Sequence, residues 1–282
     1  MSAAPHDWLV PDWPAPARVR AVCTTRSGGV SAAPFDTLNL GDHVGDRPDD
    51  VACNRSYLQA ALGARPVFLK QVHGADVAEL SLASPDGVVA DACGTAVPGV
   101  ACTIMVADCL PVLFTNPQGT WVAAAHAGWR GLSGESGSGV LEAVVASCPA
   151  SGPAKPARSA SKVIADGQAP EALLAWLGPC IGPTAFEVGP EVRAAFCDVD
   201  PQAARHFTPQ PAPGKYLADL AGLARQRLQR LGVASVTGND GTAAWCTVAP
   251  ASRFFSHRRD TARLGSSGRF AACVWIDGAP SG

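Results

Sequence analysis

The 282-residue chain lacks several features that settle a protein's class at once. Its ten cysteines include no CxxC pair and form no compact framework. In a chain too long to need stapling, this excludes a disulfide scaffold and leaves most of them as reduced, small core residues of a cytosolic protein. Residues 1–16 hold no basic stretch followed by an apolar one, so they are read as a tail rather than a secretory leader. The longest apolar run, 99–114, is interrupted by Asp108 and Pro111 and falls short of the ~18–20 residues of a spanning helix. It is expected to be buried strand, and no membrane is expected as partner. Charged residues make up only 16%, with a formal charge of -2 and a pI near 6.3. That argues against a nucleic-acid partner, because the only dense basic cluster is Arg253–Arg259. No Walker A motif and no GxGxxG after a strand occur, which excludes the common phosphate-cradling loops. The H-x-E and P-C-x-x-C pair of cytidine-deaminase-type zinc sites is also missing. Six histidines are too few for a conventional multicopper site. No repeat with a period of ~20–50 residues is seen.

Hydrophobic residues make up 47%, enough for a sizeable core. Strands are expected at 17–25, 66–71, 76–80, 100–106, 111–114, 121–125 and 270–276, from β-branched content and apolar runs. Helices are expected at 49–62, 139–148, 190–197 and 217–231, from helical spacing and a terminal glycine or proline. Residues 172–178 resume a core element, and 128–131 read as a turn. The 108–111 segment is expected to bend, because Pro111 cannot donate to a ladder. One catalytic domain is expected over 17–278. Residues 148–168, rich in Ser, Ala, Pro, Gly and Lys, are read as a flexible surface insertion.

Three residues stand in well-marked contexts: Gln71-Val-His73-Gly74, Ala107-Asp108-Cys109-Leu-Pro111 and His126-Ala-Gly128-Trp129-Arg130-Gly131. Two imidazoles and one thiolate are good ligands for tetrahedral zinc, and a three-ligand set leaves a position open for water or substrate. A lone histidine at a strand end is usually structural, so the case rests on the three together. Without a metal, Cys109 beside a histidine resembles a Cys–His nucleophile pair.

At these motifs the chain resembles the YfiH family, also called the polyphenol-oxidase or laccase-domain family. The resemblance extends through Thr24-Thr-Arg26-Ser-Gly28-Gly29-Val-Ser31, Asn39-Leu-Gly41-Asp42-His43-Val-Gly45-Asp46, Gly178-Pro-Cys180-Ile-Gly182, Phe186-Glu187-Val-Gly189, Asp219-Leu220 and Phe254-Phe255-Ser-His257-Arg258-Arg259-Asp260, over about 20–276. It implies an α/β sandwich of layered mixed sheets with flanking helices, and zinc ligands at His73, Cys109 and His126. It also implies a cytoplasmic enzyme that phosphorolyses adenosine, inosine and methylthioadenosine and deaminates adenosine. The older family label is a copper-dependent polyphenol oxidase, so copper is the alternative metal. A peptidoglycan editing hydrolase, which removes a misincorporated serine from a cell-wall precursor, is the second enzymatic reading. A non-catalytic zinc module is the third, and it requires a fourth protein ligand, with Cys102 and Cys180 as candidates. The small-molecule partners are a purine nucleoside and phosphate, and a monomer or weak homo-oligomer is expected. Where the family has Thr-Asp, this chain has Thr95-Ala96, which removes a carboxylate.

Four further residues are candidates for chemistry. Arg26 with Gly28 and Gly29 offers a guanidinium and backbone N–H groups for phosphate, or is a plain turn. His43 is a candidate acid or base near the metal, and Asn39 shares its loop. Asp108 either orients a ligand or caps the bend. Arg130, Glu187 and the Arg253–Arg259 cluster are left open between substrate contact and surface packing.

Overall fold

The computed structural model describes residues 7–149, 173–249 and 252–278. Residues 1–6 of the expected tail and nearly all of the 148–168 insertion lie outside them. In chain order the elements begin with β1 (Val19–Cys23), α1 (Pro48–Leu62), β2 (Arg65–Phe68), β3 (Val77–Glu79) and β4 (Ala92–Thr95). There follow β5 (Val100–Val106), β6 (Leu110–Thr115), β7 (Val122–Ala127), α2 (Trp129–Ser133) and α3 (Val140–Ser147). The remainder is β8 (Leu174–Leu177), β9 (Glu187–Val188), α4 (Pro190–Cys197), β10 (Phe207–Pro209), β11 (Tyr216–Ala218), α5 (Leu220–Arg230), β12 (Ser235–Gly238), α6 (His257–Leu264) and β13 (Phe270–Ile276).

Two mixed sheets stack face to face. One has the order β1-β13-β5-β2, the other β12-β8-β6-β7-β4-β3. A small antiparallel ribbon, β10-β11-β9, stands apart from both. The alternation along each strand sorts the side chains into layers. On β5, Val100, Cys102, Ile104 and Val106 face the other sheet, while Ala101 and Met105 meet α1. On β6, Leu113 joins the layer between the sheets, and Val112 and Phe114 turn to α3, α4 and α5. The inner strands β5, β6, β7 and β13 are covered on both faces and read as apolar runs, whereas the edge strands β1, β3 and β12 keep half-buried or exposed positions. The result is a single α/β unit of four layers, α1 outermost on one side and α3 to α5 on the other.

Local chemistry explains the element ends. Proline at the start of α1 and Asp49 and Asp50 in its first turn suit a helix N-terminus, and Gly63 at φ 63° closes it. Three expectations change. The 217–231 helix begins only at Leu220, because Asp219 caps it by accepting from Gly222 N–H, while Leu217 pairs in β11. The 128–131 turn is the start of the short helix α2. Pro111 lies inside β6, where it only accepts, from Gly178 N–H, at the end of the β8 ladder; the bend is confined to 107–109. None of the ten cysteines is in a disulfide, and six of them are buried. Among the described residues no helix is long and apolar enough to cross a membrane.

Candidate metal centre

The three metal candidates meet where the chain passes between the sheets. The segment joining β2, in the first sheet, to β3, in the second, carries His73. The crossing from β5 to β6 carries Cys109. His126 ends β7 on the face it shares with Val122 and Ala124, towards the four-stranded sheet. The ligating atoms of all three lie within 4.8 Å of one another, and no other such group of His, Cys, Asp or Glu occurs among the described residues. Cys109 Sγ is 3.7 Å from His73 Nε2. Tetrahedral zinc places such atoms roughly 3.4–3.7 Å apart, from Zn–N and Zn–S lengths of ~2.1 and ~2.3 Å. The donor set and the Cys109–His73 spacing therefore fit zinc. Cys102 donates to Val122 O inside the core, and Cys180 to Ile181 O, so neither is a fourth ligand.

Asp91, which the sequence does not mark as functional, organises the trio. It is fully buried and accepts from His126 Nδ1 at 2.8 Å. It also accepts the backbone N–H groups of Val72, His73 and Gly74 at 3.0, 2.8 and 2.7 Å. Fixing Nδ1 leaves His126 Nε2 as the atom it can offer to a metal, an arrangement usual for metal-binding histidines. Burial acts to raise the Asp91 carboxyl, but the His126 bond and the backbone donors outweigh it and hold its pKa below the ordinary value. His73 and Asp108 have φ of 63° and 89°. Such backbone costs about 1–3 kcal/mol at a non-glycine residue and persists only where neighbours fix it. Here Asp91 fixes the first, and Asp108 is tied by Thr247 Oγ1 and Arg258 N–H, both donating to its carboxylate at 2.6 Å.

Charge within the trio is redistributed. Burial raises the Cys109 thiol, but His126 and His73 more than offset this and bring it to about 6. Burial lowers His126, but the Cys109 thiolate and Asp91 bring it to about 9. Glycine makes the close packing possible. A Cβ on Gly128 would sit 2.9 Å from His73 Cδ2 and 3.0 Å from Cys109 Sγ, and one on Gly131 would sit 2.6 Å from Gly74 O. That is why the segment after His126 reads Ala-Gly-Trp-Arg-Gly.

The trio opens on a cavity of about 310 Å³. One part of its lining is apolar: Met105, Val106, Trp129, Ile181, Phe186 and Leu220. Another carries His43, His257, Arg258 and Arg269. Of the sequence candidates, His43 and Asp108 line this cavity. Burial, followed by Arg269, lowers the His43 pKa, although Asp42 opposes them.

The other two candidates are placed elsewhere. Arg26 binds Asp36 through Nε and Nη2 and stacks on Phe255, outside the cavity. Of the glycine N–H groups expected to cradle phosphate beside it, that of Gly29 is already used by Thr37 Oγ1. Asn39 is fully buried behind the cavity wall, with both amide ends bonded. The basic cluster divides. Arg259 is tied to Asp260 and to three carbonyls, while His257 and Arg258 face the cavity. Arg130 stacks on Trp129, and Glu187 pairs with Lys215, neither in the lining. Thr95 donates to Leu80 O at the end of β4 away from His126, so the carboxylate missing at Ala96 is not taken from this cavity.

The family described as multi-copper polyphenol oxidoreductase laccase matches residues 20–277. Purine nucleoside phosphorylase PA4543 of Pseudomonas aeruginosa is 51% identical over 270 residues, 95% of this chain and 98% of its own length. Purine nucleoside phosphorylase YfiH of Escherichia coli is 48% identical over the same shares of both chains. The crystal structure of Neisseria meningitidis protein NMB0706 superposes with a TM-score of 0.79 at 43% identity, over 96% of this chain and all of that one.

Proposed function

The chain belongs to the multi-copper polyphenol oxidoreductase laccase family, and on that basis we propose that it is a zinc-dependent purine nucleoside phosphorylase that also deaminates adenosine. The observation that carries the reading is a three-ligand His73–Cys109–His126 cluster opening on a cavity that is apolar in one part and cationic in another. Among the described residues there is one such cluster, whereas a multicopper oxidase needs several metal positions. Zinc is therefore the favoured metal over copper.

In the phosphorolysis, a phosphate oxygen forms a bond to ribose C1′ as the C1′–N9 bond breaks. The electron pair stays on the purine, which takes up a proton and leaves as free base. Adenosine and inosine yield ribose 1-phosphate, and methylthioadenosine yields its methylthio counterpart. In the deamination, water adds at C6 of adenosine and ammonia leaves, giving inosine. Zinc, when bound, supplies Lewis acidity near the reacting groups. The chain's own residues do the rest. Phe186, Trp129 and Ile181 offer an apolar bed for the purine. Asp91 holds His126 in its ligating tautomer. His43, whose pKa desolvation and Arg269 lower, is the candidate proton carrier on the lining. Editing of a cell-wall precursor is the second reading, because the same three-ligand cluster suits amide hydrolysis.

Product analysis tests this. Zinc-loaded protein with adenosine and phosphate should release adenine and ribose 1-phosphate, and Cys109→Ala should release neither. Inosine and ammonia formed without phosphate would establish the deamination arm. Absence of both product sets from zinc-loaded wild type, with release of serine from a cell-wall precursor, would replace this reading by editing.

A further inference from the structure

Phosphorolysis needs a place for an anion, and the Arg26 loop lies outside the cavity. Arg269 has the features of that place. It lines the cavity and leads directly into β13. Its backbone is clamped on both sides: its N–H donates to Asn39 Oδ1 at 2.8 Å, and its carbonyl accepts from Leu40 N–H at 3.0 Å. A Cβ on Gly41 would meet Arg269 Cγ at 2.8 Å, so glycine there lets the aliphatic stem lie flat on the loop. The guanidinium is anchored through one nitrogen only, Nη1, which donates to Ser267 O and Gly268 O at 2.8 and 3.0 Å.

Nε and Nη2 of Arg269 have no protein acceptor among the described residues, and neither is sealed from solvent. They are therefore available to a ligand on a residue that lines the cavity. Among the described residues Arg269 makes no ion pair, unlike Arg26 with Asp36 or Arg259 with Asp260. It lies near enough to Cys109 and Asp108 for their charges to act on it, which sets it close to the metal trio. Arg258 lines the same cavity, its guanidinium holding Glu187 O at 3.4 Å and lying over the Phe186 ring, and is likewise without an ion pair.

We propose that Arg269, with Arg258, is the seat of inorganic phosphate beside the metal trio, and that Asn39 and Gly41 are positioning residues that hold Arg269 in place. An oriented guanidinium with two free donors matches a tetrahedral oxyanion. The assignment rests on the phosphorolysis reading for its biological role, but phosphate binding itself does not depend on turnover. It also gives the Asn39-Leu-Gly41 motif a purpose that its burial alone did not reveal.

The test is titration of inorganic phosphate, followed by ³¹P line broadening, into both zinc-free and zinc-loaded protein. Saturable binding is expected in wild type and at least about tenfold weaker binding in Arg269→Gln, with partial recovery in Arg269→Lys. In turnover, Arg269→Gln should raise the phosphate KM by a similar factor and leave the nucleoside KM within about twofold. Arg258→Gln changes an exposed side chain and should give a smaller rise of the same kind. It keeps the test valid if Arg269→Gln fails to fold. Equal phosphate binding in wild type and the variants, or none in zinc-free wild type, overturns the seat. Phosphate binding that depends on Arg269, without ribose 1-phosphate from any purine nucleoside, leaves the seat standing and removes the phosphorolysis reading. Phosphorolysis with an unchanged phosphate KM in folded Arg269→Gln does the reverse.

Discussion

The metal cavity and the loop from Thr25 to Asp46 are similarly dense in short motifs, and both bury polar side chains. They differ in whether those side chains have capacity left. In the loop, Asn39 gives both amide hydrogens to Gly41 O and Asp46, and its oxygen takes two backbone donors. Asn54, on α1 against the loop, shares its two amide hydrogens among Ser31 Oγ, Thr37 O and Asn39 O and accepts from Val30 N–H. Arg26 is spent on Asp36. In the cavity, His126 uses one ring nitrogen on Asp91 and turns the other to Cys109 and His73, and Arg269 keeps two nitrogens open. A saturated polar residue builds the frame; an unsaturated one facing a cavity is available to a ligand.

The comparison can be broken by experiments of decreasing size. The largest concerns protons. Between about pH 6 and 9 the metal-free Cys109–His126 pair retains one proton, since the thiol lies at about 6 and the imidazole at about 9. Metal needs a thiolate and a neutral imidazole, so binding releases that proton. Zinc affinity should rise about tenfold per pH unit across this range, roughly a thousandfold in all, and flatten above it. Calorimetry in buffers of different ionisation enthalpy reads the proton count directly; a count near zero at pH 7.5 contradicts the charge assignment.

Next is Asp91→Asn. The amide can accept at only one atom, so either His126 loses its orientation or the 72–74 backbone loses acceptors. Zinc affinity should fall about 10–100-fold, measured by competition with a chelator. Asp91 also has a sign to check. Its folded pKa is depressed, so its contribution to stability is complete above the ordinary carboxylate value and is lost as pH falls through the folded one. Acid unfolding of the wild type should therefore begin later than that of Asp91→Asn.

Asn54→Ala should lower unfolding free energy by about 1–3 kcal/mol, because buried partners lose their bonds, while zinc stoichiometry stays at wild type. Loss of zinc in that folded variant would erase the distinction between frame and site. Smallest is Arg26→Gln, expected to change the phosphate KM by no more than about twofold. A large rise would return the anion seat to the Arg26 loop.

The trio was legible as a candidate because each of its three residues sits in a short, well-marked motif, and the fold brings them together. The layered fold was legible where a strand is buried on both faces, as in β5 and β13, or where an end is marked, as by Pro48 and Gly63 in α1. Asp91 was not legible, because its role lies in a partner 35 residues away and in backbone N–H groups that leave no pattern. Arg269 was hidden for the same reason, its fixing residue Asn39 being 230 positions distant. The helical phase of Leu217 masked a strand, since only the cap at Asp219 separates the two. Trp129 reads as a turn because the glycines around it signal flexibility, whereas here they admit His73, Cys109 and Gly74 O to close approach.

Metal content per chain, by elemental analysis of wild type and Cys109→Ala purified without added metal, tests the central claim most directly. The account predicts one zinc per wild-type chain, little or no copper, and no zinc in a Cys109→Ala protein that melts near the wild-type temperature. One zinc retained by Cys109→Ala, or copper in place of zinc in wild type, would contradict it.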